Sequence, residues 1–377
     1  MNWLFIGGIL LFVAILLVTV AVHEAGHMAA AKKLGLDVPE YSVGFGPKLF
    51  TIRTKKTAYS LRAIPLGGFV IIHDERYPEK SYERIALSRV KPWKRQIVFL
   101  AGPAVNIVIG VVVLFAVLLS TPYNKPSNYV GELYNCSNAA GCGAREAGLK
   151  QGDKIVSIDG VPVKNFKQLG EAKAGKTVLD TVVVERGGRT VTVNDMKLKF
   201  DPKTKVAYMG IQATKPTYRS FADASTFVTD AFKKNFVGIL HMPEKLPKVF
   251  ANIFSGDKGA DDPSSVVAAS KTYGDLAANT QATNEVKLQT FVYYGALFNL
   301  GIGLINLIPI LPLDGGRMWI ALCDTIRLRY YRLRKKKYQP VTQRMFSYLS
   351  ATSAIAVFGF MALIILSDVS AWASGSI

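Results

Sequence analysis

Residues 4–27 read LFIGGILLFVAILLVTVAVHEAGH and set two requirements for the fold. Leu4–Val22 contains no charged side chain, and a helix of this length can cross a hydrocarbon core of about 30 Å. His23, Glu24 and His27 follow directly. Ionisable side chains at the end of an apolar span are costly, so their presence indicates a function. The stretch therefore predicts a membrane helix that carries a reactive site.

Three further apolar stretches predict membrane helices at Ile97–Leu119, Thr290–Leu313 and Met345–Ser367. The fold class is therefore predicted to be a polytopic α-helical membrane protein with four transmembrane helices. Half of the 377 residues are hydrophobic, 19% are charged and 3 are Cys, which excludes disordered, collagen-like and disulfide-rich classes. No Lys or Arg precedes the first span, and its apolar run exceeds a signal-peptide core, so we do not expect it to be cleaved.

The density of positive charge predicts the orientation of the chain. Residues 28–95 contain 14 Lys/Arg against 6 Asp/Glu, and residues 315–344 contain 9 against 1. The longer segment 121–289 contains 23 against 17. Short, densely basic loops stay in the cytoplasm, so we expect both termini and the segment 121–289 on the outer side. This topology, with anionic membrane lipids as partners, explains most of the net charge of +19, and we expect no nucleic-acid partner.

The outer segment has the pattern of a small β-rich domain. β-branched runs at Lys154–Ile158 and Val178–Glu185 are bounded by Asp-Gly and Gly-Gly pairs, which are typical of tight turns. Arg145–Gly160, REAGLKQGDKIVSIDG, resembles the core signature of PDZ domains. The resemblance implies a following helix near Asn165–Lys173 and binding of an extended peptide as an added strand. An inert β domain is the alternative.

Other parts of the outer segment carry separate expectations. Cys136 and Cys142 lie close together outside the membrane, where thiols tend to pair, so we expect a disulfide between them. Phe221–Phe254 mixes aromatic residues and lysines at helical spacing, which suits either helices at the membrane surface or packing against the β-rich domain. Gly256–Asp275 is expected to be a polar connector.

The catalytic site is expected at His23–His27, HEAGH. In the HExxH pattern two imidazoles lie four residues apart on one helix face and can bind one Zn²⁺, while Glu24 can take a proton from the metal-bound water. Ala30 and Lys33 stand where an extended HExxHxxGxxH motif would place Gly and His. Asp314 is the only carboxylate within or next to the third span, so it is the best candidate for the third ligand.

Several motifs resemble those of site-2 proteases, the intramembrane zinc metalloproteases. The paired signature is HEAGH with Asn306–Gly316, NLIPILPLDGG, and it is joined by Gly44–Pro47 (GFGP), Ile64–Phe69 (IPLGGF) and Phe99–Asn106 (FLAGPAVN). Together with the PDZ-like segment, the resemblance spans nearly the whole chain. The chain is similar to the actinobacterial branch of this family, which has one PDZ domain and cleaves membrane-bound anti-sigma factors.

The resemblance implies one catalytic Zn²⁺ bound by His23, His27 and Asp314, with Glu24 as the general base. Pro309 and Pro312 are expected to break the third helix just before Asp314, which could turn the carboxylate toward the metal.

The resemblance also implies residues that bind the substrate. Asn306 and Asn299 are expected to hydrogen-bond the extended substrate backbone, because an amide side chain both donates and accepts. For Asn299, an interhelical hydrogen bond is an equally supported alternative. Gly67 and Gly68 lie within Tyr59–Ile72, which resembles the membrane-associated β-hairpin of the family and is expected to dock the substrate as a strand.

Four domains are expected along the chain. Residues 1–120 hold two spans, HExxH and a cytoplasmic β-hairpin loop, residues 121–215 an extracytoplasmic PDZ-like domain, residues 216–289 interfacial helices and a linker, and residues 290–377 the last two spans. The predicted function is an intramembrane zinc endopeptidase of the bacterial inner membrane that cuts transmembrane segments near the cytoplasmic side, after a first outer cut. The alternatives are a PDZ-bearing membrane scaffold and a metal transporter without protease activity.

Overall fold

A computed structural model of the chain separates into two compact units, residues 1–117 with 225–377 and residues 118–224. It describes residues 3–73, 90–134, 143–201, 206–256, 258, 262, 264–280, 282–335 and 343–375. In these residues the elements are α1 (Trp3–Lys33), β1 (Asp37–Arg53), β2 (Ala58–His73), α2 (Pro92–Ser120), β3 (Tyr123–Leu133), α3 (Gly143–Glu146), β4 (Lys154–Ile158), β5 (Val161–Pro162), α4 (Phe166–Ala172), β6 (Val178–Arg186), β7 (Arg189–Lys197), β8 (Lys199–Asp201), β9 (Val206–Tyr208), β10 (Ile211–Thr217), α5 (Phe221–Leu240), α6 (Leu246–Ser255), α7 (Val266–Ala278), α8 (Asn284–Ile305), α9 (Asp314–Leu333) and α10 (Gln343–Ser374).

Four helices of the larger unit, α1, α2, α8 and α10, are long and apolar enough to cross a membrane. They contain the first, second and fourth predicted spans completely. The third departs from the prediction, because α8 ends at Ile305 rather than near Leu313. Pro309 explains this end, since it has no N–H to donate to the carbonyl of Ile305 and its ring would clash with that carbonyl. The expected break before Asp314 is therefore present, and it lies further from Asp314 than predicted.

The predicted hairpin is part of a larger sheet made by the long strands β1 and β2. Residues 40–43 pair with residues 68–71 on one side and with residues 58–61 on the other, and residues 50–53 also pair with 58–61. Gly44 has a φ of +86° and lies where the register between β1 and β2 is irregular. The sheet exposes apolar side chains including Phe45, Leu49 and Phe50, at 45%, 65% and 61% exposure.

The expectation of a connector over Gly256–Asp275 is wrong for its second half, because α7 begins at Val266. Ser265 caps this helix by accepting a hydrogen bond from the backbone N–H of Val267 at 3.1 Å. Tyr273 is buried against Phe12 of α1 and Phe291 of α8, and its hydroxyl donates to the Phe291 carbonyl at 3.0 Å. Residues 266–275 are therefore part of a helix that packs against two membrane-type helices.

The smaller unit is built on a six-stranded sheet with the order β10-β3-β4-β6-β7, to which β5 is added beside β4. Val182 and Val184 of β6 are fully buried, as period-two patterning requires, and Leu179 near the start of the strand is fully buried as well. The predicted strand Lys154–Ile158 has the predicted bounds, and Asn165 caps the predicted helix α4 by accepting from the Gln168 N–H. The expected β-rich domain is therefore present.

Asp153 anchors this unit and predicts its response to pH. Burial raises the pKa of the Asp153 carboxyl, but hydrogen bonds from the Arg186 guanidinium and the Lys150 backbone N–H outweigh burial and hold the pKa below its usual range. Stability from this pair is thus complete above the unfolded pKa of about 3.9 and is lost as pH falls through the folded value. Asp153→Asn should cost roughly 1.5–3 kcal/mol at pH 7 and progressively less in acid. Hydrogen exchange of residues 143–201 in the full chain measures this, and an equal cost at all pH values would contradict it.

Candidate metal centre

Two ligand candidates lie on one face of α1. His23 and His27 are both buried at 7% exposure, and their Nε2 atoms are 3.2 Å apart. Four residues make slightly more than one helical turn, so the two rings lie on the same face of the helix. They meet edge to face, with centroids 4.8 Å apart. The HExxH spacing thus produces the geometry expected from it.

The third candidate is contributed by α9, nearly 300 residues further along the chain. Asp314 is its first residue, and its Oδ2 lies 3.0 Å from Nε2 of both histidines. The turn that places it is held by a hydrogen bond from the Gly315 N–H to the Asn306 carbonyl at 2.7 Å. A Cβ at Gly315 would lie closer than 3.0 Å to backbone atoms of Leu307 and Ile308, so only glycine fits this turn.

These three residues fit a zinc ion. Two imidazole nitrogens and one carboxylate oxygen are a common catalytic zinc set, and it leaves a fourth position for water. Ligands about 2.0–2.1 Å from one tetrahedral ion lie about 3.3 Å apart, close to the observed 3.0–3.2 Å between ligand atoms. His27 also has the required tautomer, because its Nδ1–H donates to the Val98 carbonyl at 2.7 Å and leaves the Nε2 lone pair for a metal.

Glu24 is buried beside the three ligands, at 8% exposure. Gly68 of β2 lies against it, since a Cβ at Gly68 would come closer than 3.0 Å to Cγ of Glu24 and would crowd Val20. The strand predicted to dock substrate therefore runs directly next to the candidate base. Gly67 lies one residue earlier with φ +82°, over the ring of Phe45.

The two asparagines predicted to bind substrate are placed differently. The Asn299 side chain is buried and donates to the backbone carbonyl of Asn106 on α2 at 2.9 Å. This is an interhelical hydrogen bond, the alternative to substrate binding that the sequence left open for Asn299. Asn306 is half-buried, and its side-chain amide donates to the Ile302 carbonyl of its own helix at 3.1 Å. Cys136 and Cys142 lie outside the described residues.

The site also contains residues that motif spacing alone does not identify. Gly102 of α2 faces His27, and a Cβ there would come closer than 3.0 Å to Nε2, the ligand atom itself. Asn106, one turn further on, is fully buried with its amide 3.3 Å from Nδ1 of His23. Both residues belong to the FLAGPAVN motif. The sequence therefore marks this stretch, but it does not indicate what either residue does.

Comparison with known proteins gives a consistent result. Residues 11–351 match the model of peptidase family M50. The zinc metalloprotease Rip1 of Mycobacterium tuberculosis strain H37Rv is 30% identical, with 97% of this chain and 98% of the relative covered. Rip1 of Mycolicibacterium smegmatis is 32% identical over 85% of this chain and 86% of the relative. A putative zinc metalloprotease of Fusobacterium nucleatum is 30% identical over 87% of this chain and 91% of the relative.

The packing around Gly102 predicts the effect of a single methyl group. Gly102→Ala should lower zinc affinity by roughly tenfold or more, because the added Cβ displaces Nε2 of His27 from its position. Gly7→Ala is the matched control, since it adds the same methyl group to α1 where, apart from the neighbouring backbone of α1 itself, no atom of the described residues lies within 4 Å. Competition with a chromogenic chelator gives both affinities. Equal affinities in the two variants would contradict the placement of Gly102.

Proposed function

Because the chain belongs to peptidase family M50, we propose that this zinc metalloprotease carries out regulated intramembrane proteolysis, cutting a transmembrane segment of a membrane protein that has already lost its outer domain. One observation carries the proposal: His23, His27 and Asp314 converge beside Glu24, in a unit whose four long helices are apolar enough to span a membrane. The family and the relatives favour a protease over a scaffold or a metal transporter.

The zinc ion supplies two effects when bound, since it lowers the pKa of its water and polarises a peptide carbonyl. Glu24 has the role of general base, taking the water proton on a carboxylate oxygen and delivering it to the departing amine nitrogen. Its burial keeps bulk water from competing for that proton. The substrate segment has to be unwound locally, because a helical carbonyl is already hydrogen-bonded and shielded.

The β1–β2 sheet supports strand addition as the way in which the substrate is held. Residues 68–71 pair with residues 40–43, and no pairing on their other side occurs among the described residues. An unwound segment can pair with such an edge through its backbone, whatever its side chains are. Gly68, a residue of this edge, lies directly against Glu24. Substrate contacts by Gly67, Asn306 and Asn299 remain part of this proposal.

The orientation that we propose places the site near the cytoplasmic side of the bacterial inner membrane. The exposed residues Trp319, Ile326 and Tyr330 form a stripe along α9 at helical spacing. Arginines are the other prominent residues of this helix, at positions Arg317, Arg327, Arg329 and Arg332. A basic amphipathic helix of this kind suits an anionic lipid surface. This supports a cytoplasmic position for the basic segment 315–344, which contains most of the helix.

The PDZ-like unit is proposed to be extracytoplasmic and to restrict access by size, and the substrate class is proposed to be anti-sigma factors. Its sheet and the helix α4 support a peptide-binding fold, so recruitment of a peptide is the competing role. The disulfide between Cys136 and Cys142 remains a prediction for this unit.

Removal of the general base should separate metal binding from catalysis. Glu24→Gln keeps the size of the side chain but cannot accept the water proton, so cleavage of a model transmembrane substrate should fall by at least about 100-fold. Zinc content should stay at the parental value, because Glu24 is not one of the converging ligands. Mass spectrometric detection of the cleaved fragment and metal analysis measure the two quantities. Parental activity in this variant would contradict the assignment of the base.

Deletion of the smaller unit distinguishes the filter from the recruiter. Tyr123 and Thr217 are paired across β3 and β10, so a short linker replacing residues 124–216 joins two neighbouring positions. If the unit is a filter, the deleted enzyme should cleave a substrate that keeps a folded outer domain, whereas the full chain should not. A trimmed substrate serves as the control for both enzymes. Loss of cleavage of the trimmed substrate, with zinc still bound, would contradict the filter and support the recruiter.

A further inference from the structure

The side chain of Asn106 is completely buried next to the metal centre. Its side-chain nitrogen Nδ2 lies 3.3 Å from Nδ1 of His23, on the side of the imidazole ring away from the ligand atom Nε2. Its Oδ1 is buried without a hydrogen-bond partner among the described residues. Burying an amide oxygen without a hydrogen bond costs free energy, because the atom loses its bonds to water and gains none in the protein. Such a buried group therefore calls for a functional explanation.

Coordination of a metal through Nε2 determines where the imidazole proton of His23 must be. A neutral imidazole has one N–H, and Nε2 can bind a metal only when the proton is on Nδ1. That Nδ1–H then needs an acceptor inside the protein. For His27 the acceptor is the Val98 carbonyl, at 2.7 Å. For His23 the group within reach is the Asn106 amide.

An amide offers both an acceptor and a donor, and a half-turn about its last side-chain bond exchanges their places. A half-turn from the arrangement in the structure places Oδ1, which otherwise has no hydrogen-bond partner among the described residues, toward His23, where it accepts the Nδ1 proton. With Nδ2 toward His23, the amide donates to Nδ1 and thus favours the tautomer that cannot bind a metal through Nε2. The identity of the group facing His23 therefore matters for the metal and not only for packing.

Asn106 is itself held in place from a third helix. Its backbone carbonyl accepts a hydrogen bond from the buried Asn299 side chain of α8 at 2.9 Å. Gly303 of α8 also packs against Pro103 and Ile107 of α2 so closely that a Cβ would not fit. The contact of α2 with α8 thus fixes the part of α2 that faces His23.

We propose that Asn106 is a positioning residue for the metal centre, whose side-chain oxygen accepts the Nδ1 proton of His23 and holds Nε2 toward the metal. Partners of this kind, which lie behind a ligand, typically change metal affinity by about 10–100-fold when they are removed. The role differs from packing or a simple interhelical contact, because it depends on an acceptor and not on the volume of the side chain.

The test compares two variants at position 106 with opposite hydrogen-bonding capacity. Asn106→Asp keeps an acceptor oxygen at the same distance, and its zinc affinity should stay within about threefold of the parent. Asn106→Leu keeps a similar volume without an acceptor, and its zinc affinity should fall by about 10–100-fold. Asn252→Leu is the control, since it removes another buried asparagine, which bonds Asp262 away from the ligands. Affinities come from chelator competition on the full chain, with apo-protein melting temperatures measured alongside.

Two results would overturn the proposal. Parental zinc affinity in Asn106→Leu would show that no acceptor is needed, and equal loss in Asn106→Asp and Asn106→Leu would show that only packing matters. A measurement on the unmodified protein covers the case in which a variant does not fold. Nitrogen NMR of the zinc-loaded chain, which has only 4 His, should show His23 protonated at Nδ1 and bound through Nε2. Metal binding through Nδ1 of His23 would reject the proposal.

Discussion

The structure depends on bringing three ligand atoms from distant parts of the chain within about 3 Å of one another in apolar surroundings. Two come from α1 and the third from the first residue of α9, 287 residues beyond His27. A buried carboxylate next to two imidazoles is favourable only with a compensating partner, and a dication supplies it. The convergence requires helix backbones to approach closely, which explains why Gly26 lies against Ala101 and Gly303 against Pro103.

The candidate metal centre lies within the larger unit, which contains His23, His27 and Asp314 and the strand edge beside Glu24. The smaller unit has its own buried core, built from residues of its strands and of the helices α3 and α4. Because the two units consist of different residues, the proposed role of the smaller unit in substrate access and the proposed role of the metal centre in catalysis can be tested separately.

Much of this arrangement can be predicted from the sequence, and what cannot be predicted has a physical reason. His23, His27 and Glu24 follow from spacing on one helix, and Asp314 follows from being the only carboxylate at its span. The role proposed for Asn106 depends on a contact between residues 83 apart, which arises from the packing of α2 on α1, so the FLAGPAVN motif includes the residue without indicating its role. Polar composition over 256–275 suggests a connector, whereas burial of Tyr273 against α1 and α8 makes part of it a helix.

X-ray absorption at the zinc edge of the purified protein tests the metal centre most directly. One zinc per chain should be surrounded by two imidazole nitrogens and by oxygen atoms, at about 2.0–2.2 Å, without sulfur. The zinc content should fall in Asp314→Ala, because one of the three converging ligands is lost and water is a weaker ligand than a carboxylate. A sulfur neighbour, a single imidazole or parental zinc content in Asp314→Ala would contradict the assignment of His23, His27 and Asp314 as the ligands.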